Sequence, residues 1–170
     1  MQTTKQDLEV YPFNLEWNYR SEIIKNWIPE NSTVLDLGAG TQGIKKYVNF
    51  KKYIPVDKYA VTPDTIVCDF SVEDLPFLED KFDLVMAMGL FEYLKPNRVL
   101  QMFKEIPRYS DTLIFSYYER RSKLLRWTAL HTFQQIENWM TRTGWIIQKM
   151  TTTTQNNQRI YLCKHQDTNF

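Results

Sequence analysis

Apolar residues recur at three- and four-residue intervals through Leu15, Tyr19, Ile23, Trp27 and Ile28, which predicts a first helix that Pro29 closes. Short apolar runs then replace the helical period. "TVLDL", "YIPVD", "TIVCDF" and "FDLVMAM" read as four strands, and none alternates cleanly, as expected of strands covered on both faces. A short helix is expected near Gln42 to Val48, between the first two. After Pro96 the stripe Val99, Phe103 and Ile106 predicts another helix, followed by "DTLIFSYY" as a fifth strand. Residues 118–131 show no clear period. Thr132 with Gln135 three residues on makes a capping box, opening a helix through Phe133, Ile136 and Met140 that Gly144 terminates. "WIIQKMT" and "RIYLCKH", joined by the turn-rich "TTTQNNQ", predict a hairpin.

Strands in alternation with helices imply an α/β fold whose sheet is mostly parallel and doubly wound, ending in an antiparallel hairpin strand. In such sheets ligands bind beyond the carboxyl ends of the strands. The chain shows no internal repeat and no linker, so residues 1–170 are read as a single domain, with 1–30 as an N-terminal helix or lid and 31–165 as the core.

Charge and composition narrow the function classes. Lysine plus arginine number 21 against 20 aspartates and glutamates, so no bulk field draws the molecule to nucleic acid. The longest apolar stretches fall well short of the roughly 20 residues a membrane span needs. The opening "MQTTKQDLEVYPF" has no charged head followed by an apolar segment. Cys68 and Cys163 offer neither a disulfide framework nor metal-ligand spacing. The expectation is a cytoplasmic protein without a metal.

The chemistry gathers around "VLDLGAGTQG", residues 34–43. Gly38, Gly40 and Gly43 fit the dinucleotide spacing G-x-G-x-x-G, and Asp57 follows at about the offset where an acid accepts from ribose hydroxyls. Asp36, Asp57 and Asp69 thus occupy the ends of three successive strands. Each aspartate alone is also an ordinary turn or cap residue; three on one rim beside a glycine loop point to an adenosine ligand. Two cofactor classes compete. A nicotinamide-binding oxidoreductase shares the glycines, but Asp36 would face its pyrophosphate unfavourably and suits a zwitterionic amino acid better.

"VLDLGAG", "PVD", "CDFSVEDLPF" and "FDLVMAMGLFEYL" together resemble the class I S-adenosylmethionine-dependent methyltransferases across about residues 30–165. The resemblance implies a Rossmann-like seven-stranded sheet and S-adenosylmethionine as cofactor, with S-adenosylhomocysteine as product. It implies that Asp36, Gly38, Ala39 and Gly40 hold the methionine part and that Asp57, with Lys58 beside it, binds the ribose. Asp69 would contact the adenine amino group, with Phe70 as the adenine wall, and Met88, Gly89 and Leu90 would lie beside the sulfonium. The loop departs from the usual G-x-G-x-G, because Gln42 displaces the third glycine.

The acceptor is less legible. No Asn/Asp-Pro-Pro-aromatic motif follows the fourth strand, which argues against amino-directed nucleic-acid methylation, and only one glutamate stands there. Catalytic candidates are Glu92, His131 and Tyr117. Glu92 better suits a helix start or a packing position, and His131 a surface or cap position. Tyr11 and Tyr19, on a first segment that would lie across the cofactor as a lid, and Tyr118, Arg120 and Arg121, in a basic and aromatic cluster whose arginine forks suit carboxylate and phosphate, are candidate substrate-binding residues. The segment carrying the arginines also reads as a solvated amphipathic helix. The expected activity is methyl transfer to a small molecule or a glycan or metabolite intermediate, by a possible homodimer. A non-catalytic S-adenosylmethionine-binding scaffold is the competing class.

Overall fold

The computed structural model describes residues 18–76, 78–119, 131–153 and 158–166. Its strands are β1 (Thr33–Leu37), β2 (Lys52–Asp57), β3 (Ile66–Val67), β4 (Leu84–Met88), β5 (Thr112–Tyr117), β6 (Trp145–Thr152) and β7 (Arg159–His165). They form one sheet in the order β3-β2-β1-β4-β5-β7-β6. The first five pair in parallel and β7 inserts antiparallel between β5 and β6. The expected mostly parallel sheet with an antiparallel terminal hairpin is the observed one.

Helices α1 (Asn18–Ile24), α2 (Pro96–Glu105) and α3 (Phe133–Arg142) cover the sheet. Pro96 starts α2 at a position where its missing N–H costs nothing. Thr132 and Gln135 make the expected reciprocal capping box of α3, with Thr132 Oγ1 accepting from the Gln135 amide at 3.1 Å. Gly144, at φ +83, ends that helix in a left-handed conformation that glycine adopts without strain. Successive side chains on each strand divide between two layers. Leu35, Leu37, Val85, Leu113 and Phe115 pack with α2 and α3, while Val34, Met86 and Ile114 pack with Ile24 of α1. Asp36 and Ser116 follow the parity of the second group, so both lie on the α1 side of the sheet.

The helical pattern is thinner than expected. The first helix is described from Asn18 and continues as a 3-10 turn over Lys25–Trp27, and the helix after β1 is one 3-10 turn, Gly43–Lys46. Among the described residues no helix links β2 to β3 or β3 to β4. Residues 69–73 instead fold around the Asp69 and Glu73 side chains, which take hydrogen bonds from the backbone and so compete with a helix. Arg98 of α2 reaches over to fasten that loop, donating to the carbonyls of Phe70 at 2.8 Å and Glu73 at 2.6 Å.

Candidate functional site

The glycine loop leaves β1 beside the end of β2. The amides of Gly38 and Ala39 both donate to the Val56 carbonyl, at 2.8 and 3.1 Å. Gly38 has φ +74, and a Cβ there would press against Leu90, so this turn needs a residue without a side chain. Asp57 then closes the loop. Its Oδ2 accepts from the Gly40 amide at 2.9 Å and its Oδ1 from the Tyr59 amide at 3.0 Å. Burial pushes the Asp57 carboxyl above its ordinary range, opposed by these backbone bonds.

Gln42 explains why the third glycine is displaced. It stands in the left-handed region at φ 55, and its buried side chain donates to Thr62 and accepts from Lys45 Nζ at 2.6 Å. Lys45 in turn reaches Asp64 at 3.3 Å. The side chain of Gln42 therefore ties the glycine loop to the β2–β3 link, a job no glycine can do.

Asp36 lies at the end of β1, 4 % exposed, and accepts a short hydrogen bond from the Tyr53 hydroxyl. Burial pushes its carboxyl up to about 7; the Tyr53 bond works against that rise and the Asp57 charge adds to it. Asp69, after β3, accepts from Ser71 and pairs with Lys58 Nζ at 2.8 Å. Its partial burial works to raise its pKa, but the Lys58 and Ser71 contacts outweigh that and hold it below the usual range. Lys58 and Asp69 thus bridge the ends of β2 and β3 at the surface.

Three expected site residues take other positions. The Phe70 ring is 3 % exposed within the α2 layer of the core, among Leu37, Val56 and Leu75, and so offers no open face as an adenine wall in this conformation. Tyr117 also points into that layer, where its hydroxyl donates to the His131 carbonyl at 2.9 Å and accepts from the His131 amide at 3.2 Å. The His131 ring lies 3.0 Å from the Leu94 carbonyl and edge-on to Trp139, and burial lowers its pKa. These two residues brace the stretch before α3. Tyr11, Arg120 and Arg121 lie outside the described residues; Tyr118 is half-buried just beyond β5, and Tyr19 donates to Gln158 Oε1 at 3.2 Å.

The α1 layer contributes a residue that sequence reasoning missed. Arg20 is buried, its Nη1 donates to Ser116 Oγ at 3.3 Å, and its guanidinium lies against Gly89, where φ is +79 and a Cβ would collide with Nη1. Met88 pairs with Ser116 in the sheet, which places the end of β4 beside this contact. Burial lowers the Arg20 pKa, while Glu92 foremost, and also Asp36, favour its charged form. Glu92, buried in the turn after β4, is pushed up to about 7 by burial, against the field of Arg20. A signal for Arg20 existed in the sequence: it stands four residues before Ile24 and eight before Ile28, a charged position on an apolar stripe.

A cavity of about 390 Å³ lies at the opposite, amino-terminal end of the sheet, where Phe82, Tyr109, Asp111 and His165 meet. The carboxyl-end rim, not this cavity, gathers the charged residues described above. No helix among the described residues is long and apolar enough to cross a membrane.

No sequence-family model matches the chain, and no curated protein matches it in sequence. Solved structures do match in shape. Magnesium protoporphyrin IX methyltransferase from Synechocystis PCC 6803, with bound S-adenosylhomocysteine, is 13 % identical at a TM-score of 0.69, covering 98 % of this chain and 90 % of that one. The PH0226 protein from Pyrococcus horikoshii OT3 is 16 % identical at a TM-score of 0.70, covering 96 % of this chain and 100 % of that one. Mitomycin 7-O-methyltransferase MmcR is 10 % identical at a TM-score of 0.70, covering 95 % of this chain and 58 % of that one. The chain has the class I methyltransferase fold.

Proposed function

We propose that this methyltransferase fold holds S-adenosylmethionine across the carboxyl ends of β1, β2 and β3 and transfers its methyl group to a small-molecule acceptor. One observation carries the reading: three aspartates, Asp36, Asp57 and Asp69, stand at or just beyond the ends of three adjacent strands, around a loop that turns through the left-handed region at Gly38 and Gly40. An adenosine with an amino acid attached needs those acceptors in that order. Similarity of shape to methyltransferases of magnesium protoporphyrin IX and mitomycin supports a small-molecule acceptor.

In this reading Asp36 meets the amino-acid end and Gly38, Ala39 and Gly40 line it with backbone. Asp57 takes the ribose hydroxyls with the lone pairs that Gly40 and Tyr59 leave over. Asp69 and Lys58 border the adenine amino group, with Phe70 contributing backbone alone. Met88 and Gly89 flank the sulfur, and Tyr118 borders the acceptor. When bound, S-adenosylmethionine supplies a methyl carbon on a positively charged sulfur. The leaving sulfide needs no acid, so the chain's task is to align the acceptor with that carbon, which is where most of the rate arises. A base is required only for a hydroxyl or protonated amine.

Two measurements test the proposal. Calorimetry should give binding of S-adenosylhomocysteine and none of NAD; tight NAD binding would overturn the cofactor assignment. Labelled S-adenosylmethionine incubated with a fractionated small-molecule extract should yield a labelled product. Binding without transfer to any fraction would leave the non-catalytic scaffold as the better reading.

A further inference from the structure

The sheet ends on two unequal edges. One is β3, only two residues long. The other is β6, eight residues from Trp145 to Thr152, with β7 as its single neighbour among the described strands. Of the seven large apolar side chains exposed among the described residues, Ile146, Ile147 and Met150 stand on this one strand, at 39, 40 and 46 % exposure. Both ends of the strand are fixed. The Trp145 indole N–H donates to the Phe103 carbonyl at 2.8 Å, and just beyond Thr152 the Thr153 amide donates to the Gln158 carbonyl at 2.8 Å. The one charge on β6, Lys149, is drawn aside, its Nζ lying 4.8 Å from the centre of the Trp27 ring on the α1 side of the sheet. A long, apolar and nearly uncharged edge is a template for another strand.

A bulge decides which strand fits. β6 steps out of register between Ile147 and Lys149, leaving Gln148 without a partner on β7. Ile147 therefore sits opposite Cys163 and Met150 opposite Tyr161, so both face the side that α2 and α3 cover, as Trp145 and Thr152 do. Ile146, Lys149 and Thr151 face the α1 side. In an unbroken strand Ile147 and Met150 would point to opposite faces. With the bulge, the faces run in mirror order on either side of Gln148 and Lys149, and β6 matches its own reverse. We propose that β6 pairs antiparallel with β6 of a second copy of this chain, about a two-fold axis at Gln148 and Lys149, joining the two seven-stranded sheets into one. Ile147 then meets Met150 of the second copy, Ile146 meets Thr151, and Lys149 stands opposite the neutral Gln148. The two apolar pairs lie together on one face. Because β3 is too short to offer a second edge, association closes at a dimer. Two eight-residue strands hide on the order of 1,000 Å² in all, the lower limit of specific interfaces, which suits a dissociation constant of about 10 μM. Antiparallel pairing turns the carboxyl-end rims of the two copies in opposite directions, so each candidate site is complete without the other.

Sedimentation velocity on the full chain tests the pairing. The wild type should be largely monomeric at about 1 μM and largely dimeric at about 100 μM, with no larger species. Ile147→Lys and Met150→Glu, both at exposed positions, should keep native circular-dichroism spectra and each weaken the dimer at least about tenfold. Val72→Lys, on the exposed loop after β3, should leave it unchanged. An equimolar mixture of the Ile147→Lys and Met150→Glu chains should associate at least about threefold more tightly than either alone, because the two opposite charges face each other only between chains. A wild type that stays monomeric at about 100 μM, as it would with a foreign strand or the chain's own terminal residues on this edge, overturns the proposal. So does a dimer that both substitutions leave intact, a mixture no tighter than its parts, or growth beyond two copies.

Discussion

Asp36→Asn should gain stability over the wild type as pH rises while weakening the binding of S-adenosylhomocysteine. The Asp36 carboxyl is pushed from an ordinary 3.8 up to about 7 because folding removes it from water. In the unfolded chain it loses its proton near pH 4, while in the fold it keeps it until about pH 7. Between those values the unfolded chain binds fewer protons, so stability falls as pH rises, and above about 7 the loss is constant. Two acidities that far apart correspond to about 4 kcal/mol against folding at pH 8, of which roughly a third is already present at pH 5. Asparagine carries no proton to lose and still accepts from Tyr53, so whatever its amide costs on burial is the same at both pH values. The variant's advantage over the wild type should therefore grow by about 2–3 kcal/mol from pH 5 to pH 8. For a chain of this length that is roughly 5–10 °C in melting temperature. The assay is thermal unfolding of both proteins at the two pH values, alongside calorimetry with S-adenosylhomocysteine, whose affinity the substitution should lower. A stability difference that is flat or shrinks with rising pH would refute the reasoning, because it would mean that Asp36 is ionised without penalty in the fold.

Asp57→Ala removes the acceptor of both the Gly40 and Tyr59 amides and should weaken S-adenosylhomocysteine more than tenfold while the circular-dichroism spectrum stays native; unchanged affinity would remove the ribose assignment. Gln42→Gly relieves a left-handed backbone by about 1 kcal/mol but deletes the Thr62 and Lys45 bonds, so denaturant unfolding should show a net loss of about 1 kcal/mol rather than a gain. Tyr117→Phe should cost about 1 kcal/mol of stability through its lost bonds to His131 and leave the pH profile of any methyl transfer unmoved, as expected of a brace and not a proton carrier.

The sequence was most readable where local chemistry and global position agree. The capping box of Thr132 and Gln135 and the Gly144 stop are set by neighbours a turn away, and both stand where expected. The strand runs were equally legible, because a residue covered on both faces has to be apolar wherever it sits. Reading failed where a side chain answers to something distant. Phe70 follows an acid at a strand end, which resembles a ligand wall, yet Arg98 from α2 fixes its backbone and the ring turns into the core. Tyr117 and His131 look like proton carriers, and instead the Tyr117 hydroxyl bonds the His131 backbone while the His131 ring lies against the Leu94 carbonyl. Gln42 looked like a flaw in a glycine motif, and its purpose depends on Thr62, twenty residues on.

By itself, then, the sequence determined the order of elements, the glycine turn and the row of aspartates, because each follows from a period or a spacing along one stretch of chain. What only the tertiary structure decided is the electrostatic character of that row. Asp36 is a carboxyl pushed up to about 7 because the fold shuts it away from water, against the pull of the Tyr53 hydroxyl from β2. Arg20 comes to lie at the end of β4 because the helical period that buries Ile24 four residues on also turns it toward Ser116 and Gly89. Burial and the meeting of charges are properties of distance in space, and the chain's own order carries no measure of that.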